Sequence, residues 1–175
     1  MATFYLIRHG KSDYTYGDTH GFIGQGHDFA PLKEENIKDV IEMSKDIRLK
    51  NAQIIVASPY TRALQTASII SKETRLEIAV EPDIREWQPD LTYQYKNSDE
   101  MKAYYRDYIE NNGTYPANKK RNWETKEQLK NRVMSVINKY KEKYDTIIVV
   151  AHKMAFQSVC DCGDMKPAEI FETIF

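Results

Sequence analysis

Two histidines and two arginines stand in this chain where they could bind or attack an anion together. Arg8-His9-Gly10 follows one short apolar run, Ser58-Pro59-Tyr60-Thr61-Arg62 follows a second, and His152 ends a third. Arginine's planar fork suits phosphate oxygens and keeps its charge at any relevant pH, and histidine is the side chain that changes charge near neutrality. Helices opening after Ser58 and after His152 would add backbone N–H donors. Taken singly, Arg8-His9 is an ordinary surface dipeptide and Arg62 one more solvated helix arginine. Their common position at strand ends makes them a candidate site, because ligands of open α/β sheets bind at the carboxyl ends of the strands.

The elements that must deliver these groups are legible as alternating strand and helix patterns, which predict a largely parallel sheet flanked by helices. Thr3 to Ile7, Gln53 to Ala57 and Thr146 to Ala151 are β-branched or apolar runs of strand length, with further strands at Glu77 to Val80 and Glu169 to Ile174. The second and third are almost continuously apolar, as in strands buried on both faces. Leu32 to Lys50 predicts one helix with Ile37, Val40, Ile41, Ser44 and Ile47 on its inner face. Ser58-Pro59 is expected to cap and open another, with Ala63, Ala67 and Ile70 toward the sheet. Thr125 with Gln128 reads as a capping box, followed by the stripe Leu129, Val133, Ile137 and Tyr140. A last helix is expected over Lys153 to Cys162, stopping at Gly163. Gln88 to Glu124 is polar and tyrosine-rich. It is read as an insertion folded over the sheet, with a helix capped by Ser98 presenting Met101, Tyr104, Tyr105 and Tyr108.

The motifs together resemble the histidine phosphatase superfamily, also called phosphoglycerate-mutase-like. The resemblance rests on Arg8-His9-Gly10 after a first strand, on Ser58-Pro59-x-x-Arg62-Ala63-x-Gln65-Thr66-Ala67, and on a late strand ending in His152. Gly24-Gln25, Asp28 and Pro31-Leu32 fall where the family has a glycine-rich loop. The fold implied is a three-layer α/β sandwich with a mostly parallel central sheet, in one domain over 1–175. The resemblance makes His9 the nucleophile of a phosphohistidine intermediate, its other ring nitrogen held by an acceptor such as a backbone carbonyl. Arg8, Arg62 and His152 would hold the phosphoryl oxygens, and Glu86, in Ile84-Arg85-Glu86-Trp87, would protonate the leaving group. Glu81 and Asp83 are nearby alternatives for that acid. Trp87 would be the apolar wall raising its pKa. Ser12, Gln25 and Lys153 complete the expected substrate contacts.

The sequence departs from the family pattern at Lys11, where an acid is common, and at Thr15 or Tyr16, where an asparagine is. It departs again at Trp123-Glu124-Thr125, which replaces a Gly-Glu-Ser segment, and at Lys153-Met154, where glycines are usual. The expected activity is metal-independent hydrolysis of a small phosphorylated metabolite, one carrying a ring or a second negative group. Lys153 and Lys119-Lys120-Arg121 are the cations that could meet that second group, although the latter run also reads as a solvated turn. A phosphoglycerate mutase, a phosphohistidine-protein phosphatase and a catalytically weak phospho-ligand binder are the alternative readings.

Composition sets the outer limits. The 175 residues carry a formal charge of −1, which makes no electrostatic case for nucleic acid or an anionic membrane. No apolar run reaches the ~20 residues of a membrane-spanning helix. Cys160 and Cys162, one residue apart, make neither a disulfide framework nor a zinc site with His152, so no cofactor or metal is expected. A cytoplasmic location is expected, since the N-terminus opens on a strand and not on a signal peptide. The oligomeric state has no sequence signal.

Overall fold

A computed structural model describes residues 1–117 and 119–175. Five strands form one sheet: β1 (Thr3–Arg8), β2 (Ile54–Ala57), β3 (Ile78–Val80), β4 (Thr146–Ala151) and β5 (Ile170–Ile174), in the order β3-β2-β4-β1-β5. All neighbours are parallel except β1 and β5. The six described helices are α1 (Thr15–Thr19), α2 (Ile37–Ser44), α3 (Thr61–Thr74), α4 (Ser98–Glu110), α5 (Lys126–Lys141) and α6 (Lys153–Gln157).

Strand alternation divides the core between the two faces of the sheet. Tyr5, Ile7, Ile55, Ala57, Ile148 and Val150 pack against Ala63, Ala67 and Ile70 of α3 and against Leu49. Phe4, Leu6, Ile54, Val56, Ile147 and Val149 face the other way, onto Leu129, Val133, Val136, Ile137 and Tyr140 of α5. This is the expected three-layer α/β sandwich. The expected capping box is present: the Thr125 hydroxyl accepts from Gln128 N, and the Gln128 side chain accepts from Thr125 N at 2.9 Å. Tyr108 and Trp123 of the 88–124 segment are buried in the same cluster as Phe4 and Leu6, so the segment shares the core it covers.

Four local expectations are corrected. The helix expected over 32–50 ends at Ser44, because Asp46 accepts from Arg48 N and starts a separate 3-10 turn. That turn buries Leu49 and leaves Ile47 69% exposed; Ile41 is also outside. Ser58 does not cap α3, whose N-cap is Tyr60; the Ser58 hydroxyl is bonded to His152. Asn97, not Ser98, caps α4, accepting from Asp99 N and Glu100 N. The last helix stops at Gln157, where the Ser158 hydroxyl turns back to the Ala155 carbonyl. Cys160 and Cys162 therefore lie beyond it.

Two glycines shape the walls of the site. At Gly10 a Cβ would sit 2.6 Å from a Val40 methyl, so only glycine lets β1 run out this close to α2. Gly24, at φ +51°, lies so close to Tyr93 that a side chain would meet its carbonyl oxygen at 2.0 Å, and Gly24 N donates to the Tyr95 carbonyl. This contact clamps the loop after β1 to the 88–124 segment.

Candidate active site

The carboxyl ends of β1, β2 and β4 bring His9, Ser58 and His152 together beneath the first turn of α3, which supplies Arg62. All four are buried. The rings of His9 and His152 meet edge-on at 4.9 Å. His9 Nδ1 lies 2.6 Å from the Gly10 carbonyl, an acceptor only, so Nδ1 carries the hydrogen and Nε2 keeps its lone pair. Arg62 Nε points at that Nε2 from 3.3 Å. Burial first, then the neighbouring Arg62 and Arg8 guanidinium groups, push the His9 pKa down to about 3. The imidazole is neutral at neutral pH, with its nucleophilic nitrogen turned into the site.

Around His9 lie polar nitrogens that fold into the interior without a hydrogen-bond partner among the described residues: Arg8 Nε, Arg62 Nη1 and His152 Nδ1. The Ser58 hydroxyl lies 2.8 Å from His152 Nε2, and if it donates there the hydrogen of the neutral ring sits on Nδ1. Burial and the surrounding positive charge keep the His152 pKa well below its ordinary value. Leaving a buried donor unpaired costs ~1–3 kcal/mol, which an incoming anion with several oxygens can offset. Of these three residues, Arg8 is fixed by its Nη1, which donates to the Met165 carbonyl at 2.5 Å and aims the rest of its fork.

Of Glu81, Asp83 and Glu86, the last alone lines a cavity with Arg62. Glu81 is tied to Lys139 and Tyr140, and Asp83 is exposed beside Arg85, so neither alternative is at the site. Burial raises the Glu86 pKa against the lowering pull of Trp87 N, Met154 N and Ala155 N, all of which donate to its oxygens. Trp87 acts otherwise than expected: its N–H favours the carboxylate, while its indole packs on Tyr108 and donates to the Glu124 carbonyl. The first turn of α6, expected to face a phosphate, spends its N–H groups on Glu86.

Arg132 and Glu124 hold the strand-to-loop turn that carries Glu86, and sequence reasoning did not single out either for this. Arg132 makes a bidentate pair with Glu124, at 2.5 and 2.8 Å, and also donates to the carbonyls of Asp83, Arg85 and Glu86. The pair is largely buried, and Glu124 accepts from Gln88 N as well. The only sequence signal was Glu124 inside the altered Gly-Glu-Ser segment. Breaking a buried pair strands the remaining charge, so Arg132→Met should cost ~3–5 kcal/mol in a urea titration. A loss under 1 kcal/mol would show that the pair carries no structural weight.

Three expected substrate contacts are not at the site. Lys153 pairs with Asp164 at 2.8 Å, Gln25 is exposed on a 3-10 turn, and Ser12 is taken up in a backbone bridge to Leu32. Lys11 opens onto a separate cleft with Asn36 and Asp39. Asp28 and His27 of the same loop stand at the site instead. Asp28 lies 3.7 Å from Arg62, and burial pushes its pKa up to about 6.

The family model of the histidine phosphatase superfamily (branch 1) matches residues 4–173. The chain belongs to that superfamily. Among proteins similar to this superfamily member is an uncharacterized phosphatase, PhoE, of Bacillus subtilis, 28% identical over 91% of this chain and 76% of its own length. A mycobacterial glucosyl-3-phosphoglycerate phosphatase shares the fold with a TM-score of 0.74 at 17% identity, covering 98% of this chain and 89% of that one. A phosphoserine phosphatase of Entamoeba histolytica, solved with 3-phosphoglyceric acid, does so with a TM-score of 0.68 at 19% identity, over 100% and 91%. Among the described residues no helix is long and apolar enough to cross a membrane.

Proposed function

We propose that this histidine phosphatase hydrolyses phosphate monoesters in two steps through a phosphohistidine on His9. The observation that carries the reading is the Nδ1–H donation of His9 to the Gly10 carbonyl, which leaves Nε2 unprotonated beside Arg62. In the first step Nε2 attacks phosphorus, the P–O bond to the ester oxygen breaks, and the Glu86 carboxyl gives that oxygen its proton. In the second step a water attacks phosphorus and gives its proton to the Glu86 carboxylate, and the N–P bond breaks to release phosphate. Arg8, Arg62 and His152 take the equatorial oxygens at their unpaired nitrogens. The two guanidinium charges serve where other phosphatases use a cation, so the reaction needs no metal.

Hydrolysis is favoured over a mutase reaction because a retained, twice-phosphorylated intermediate needs a second cationic subsite. In the cavity that Arg62 and Glu86 line, Arg62 is the only lysine or arginine among the described lining residues. The test is phosphate release from phenyl phosphate at saturating substrate, with and without a chelator, across pH 5 to 8. Because the nucleophile titrates at about 3, kcat should not fall between pH 6.5 and 5, and the chelator should change nothing. On the alkaline side the sign is the reverse: Glu86 works protonated, so the rate falls as pH rises through its raised pKa. An acid limb centred near 6.5, the value of an unperturbed histidine, would sink the assignment of His9.

A further inference from the structure

A cavity lined by Arg62 and Glu86 has a volume of about 140 Å³. An apolar cavity of about 150 Å³ takes up one benzene ring, so this one is sized for a single ring. Its walls suit one, since Tyr14, Trp87, Tyr95 and Met101 line it. Three charged groups face it, and all three already have partners. Arg62 lies against His9, and Glu86 is held by three backbone N–H groups.

Asp28 is the third. It pairs with Arg62 at 3.7 Å, and its carboxyl is hydrogen-bonded to the Tyr60 hydroxyl, which in turn accepts from Gln88 Nε2 at 2.5 Å. A carboxylate has about four acceptor positions, so acceptor capacity remains for a group in the cavity. The cations expected to receive a second anionic group are elsewhere. Lys119 and Lys120 are exposed and outside the cavity lining, Arg121 pairs with Asp107 at 2.8 Å, and Lys153 pairs with Asp164. A carboxylate or second phosphate in this cavity would meet Asp28 and no unengaged cation among the described lining residues.

We propose that the leaving-group site takes a single ring bearing a hydrogen-bond donor or a positive charge, that it rejects a second anion, and that Asp28 makes the distinction. This deepens the phosphatase reading and rests on it only for where the ester oxygen lies. At pH 8 Asp28 is ionised, since its pKa is about 6.

The test compares phenyl phosphate with its para-aminomethyl and para-carboxymethyl derivatives, whose charges sit one methylene from the ring. At pH 8 kcat/KM should be highest for the ammonium ester and lowest for the carboxylate ester, with a ratio of about tenfold or more between them. Asp28→Asn should bring that ratio toward one, and Asp28→Glu should keep its direction. A ratio near one or reversed in the wild type, or a ratio unchanged in Asp28→Asn, overturns the proposal. The Kd values of the three intact esters for His9→Ala, measured by calorimetry, separate the two readings. Absent turnover in the wild type with the same order of affinities would end the phosphatase reading and leave the discrimination by Asp28 standing. Turnover of all three esters without discrimination would do the opposite.

Discussion

His9→Ala should abolish phosphate release from phenyl phosphate. Deleting the nucleophile of a hydrolase costs about 10⁶-fold in kcat in the best-studied case, so the residual rate should be at the limit of detection. The covalent step gives an independent measurement. Wild-type protein quenched during turnover should carry one phosphoryl group, acid-labile, on the peptide that contains His9, and the variant should carry none. The fold should survive, because the cluster of aliphatic chains on either side of β1 does not include this ring. A near-native circular dichroism spectrum and melting temperature would show that. A variant that keeps wild-type turnover would falsify the nucleophile, and a phosphoryl group on another residue would relocate it.

Glu86→Gln is the second large effect, and it should depend on the leaving group. The glutamine oxygen can still accept from Trp87 N and Ala155 N, so the turn is kept while the proton is lost. General acid catalysis contributes ~10²–10⁴-fold, and alkyl phosphates, whose alcohols leave poorly without a proton, should lose that much. Nitrophenyl phosphate should lose far less, since its phenolate departs unaided. Equal losses on both substrates would mean that Glu86 serves binding or the Met154–Ala155 turn, not proton transfer. The distinction is sharp because the raised pKa of Glu86 comes from burial, which a binding carboxylate would not need.

The mechanics of the site explain why some of it could be read in advance. His9, Arg62 and His152 sit immediately after strands or in the first turn of a helix, and strand patterning fixes where a strand ends to within a residue or so. The apolar runs at Thr3 to Ile7 and Thr146 to Ala151 therefore placed two histidines at one sheet edge, and the structure pairs Arg8 with Ala151 in register. The lysines and loop residues followed no such rule. Lys153 follows His152 directly, yet Asp164, eleven positions on, decides where its amine goes. Gln25 and Asp28 are three residues apart in one loop, and a 3-10 turn sends the first to solvent and the second toward Arg62.

What the sequence determined by itself was thus the set of groups tied to regular elements: the parallel strands, the capping box of α5, the core stripes of α3 and α5, and the strand-end residues proposed as nucleophile and anion binders. Periodicity and capping are local, so they survive without knowledge of the partner. Tertiary structure alone decided the rest. It broke the 32–50 helix at Asp46, took the Ser58 hydroxyl from α3 to His152, and used Arg132 and Glu124, from α5 and the segment before it, to hold the turn that carries the acid. It also put Asp28 rather than a lysine in the cavity. These outcomes depend on which charges meet across long chain separations and how deeply they are buried. Burial sets whether a carboxyl stays protonated or a histidine neutral, and no local pattern of residues encodes it.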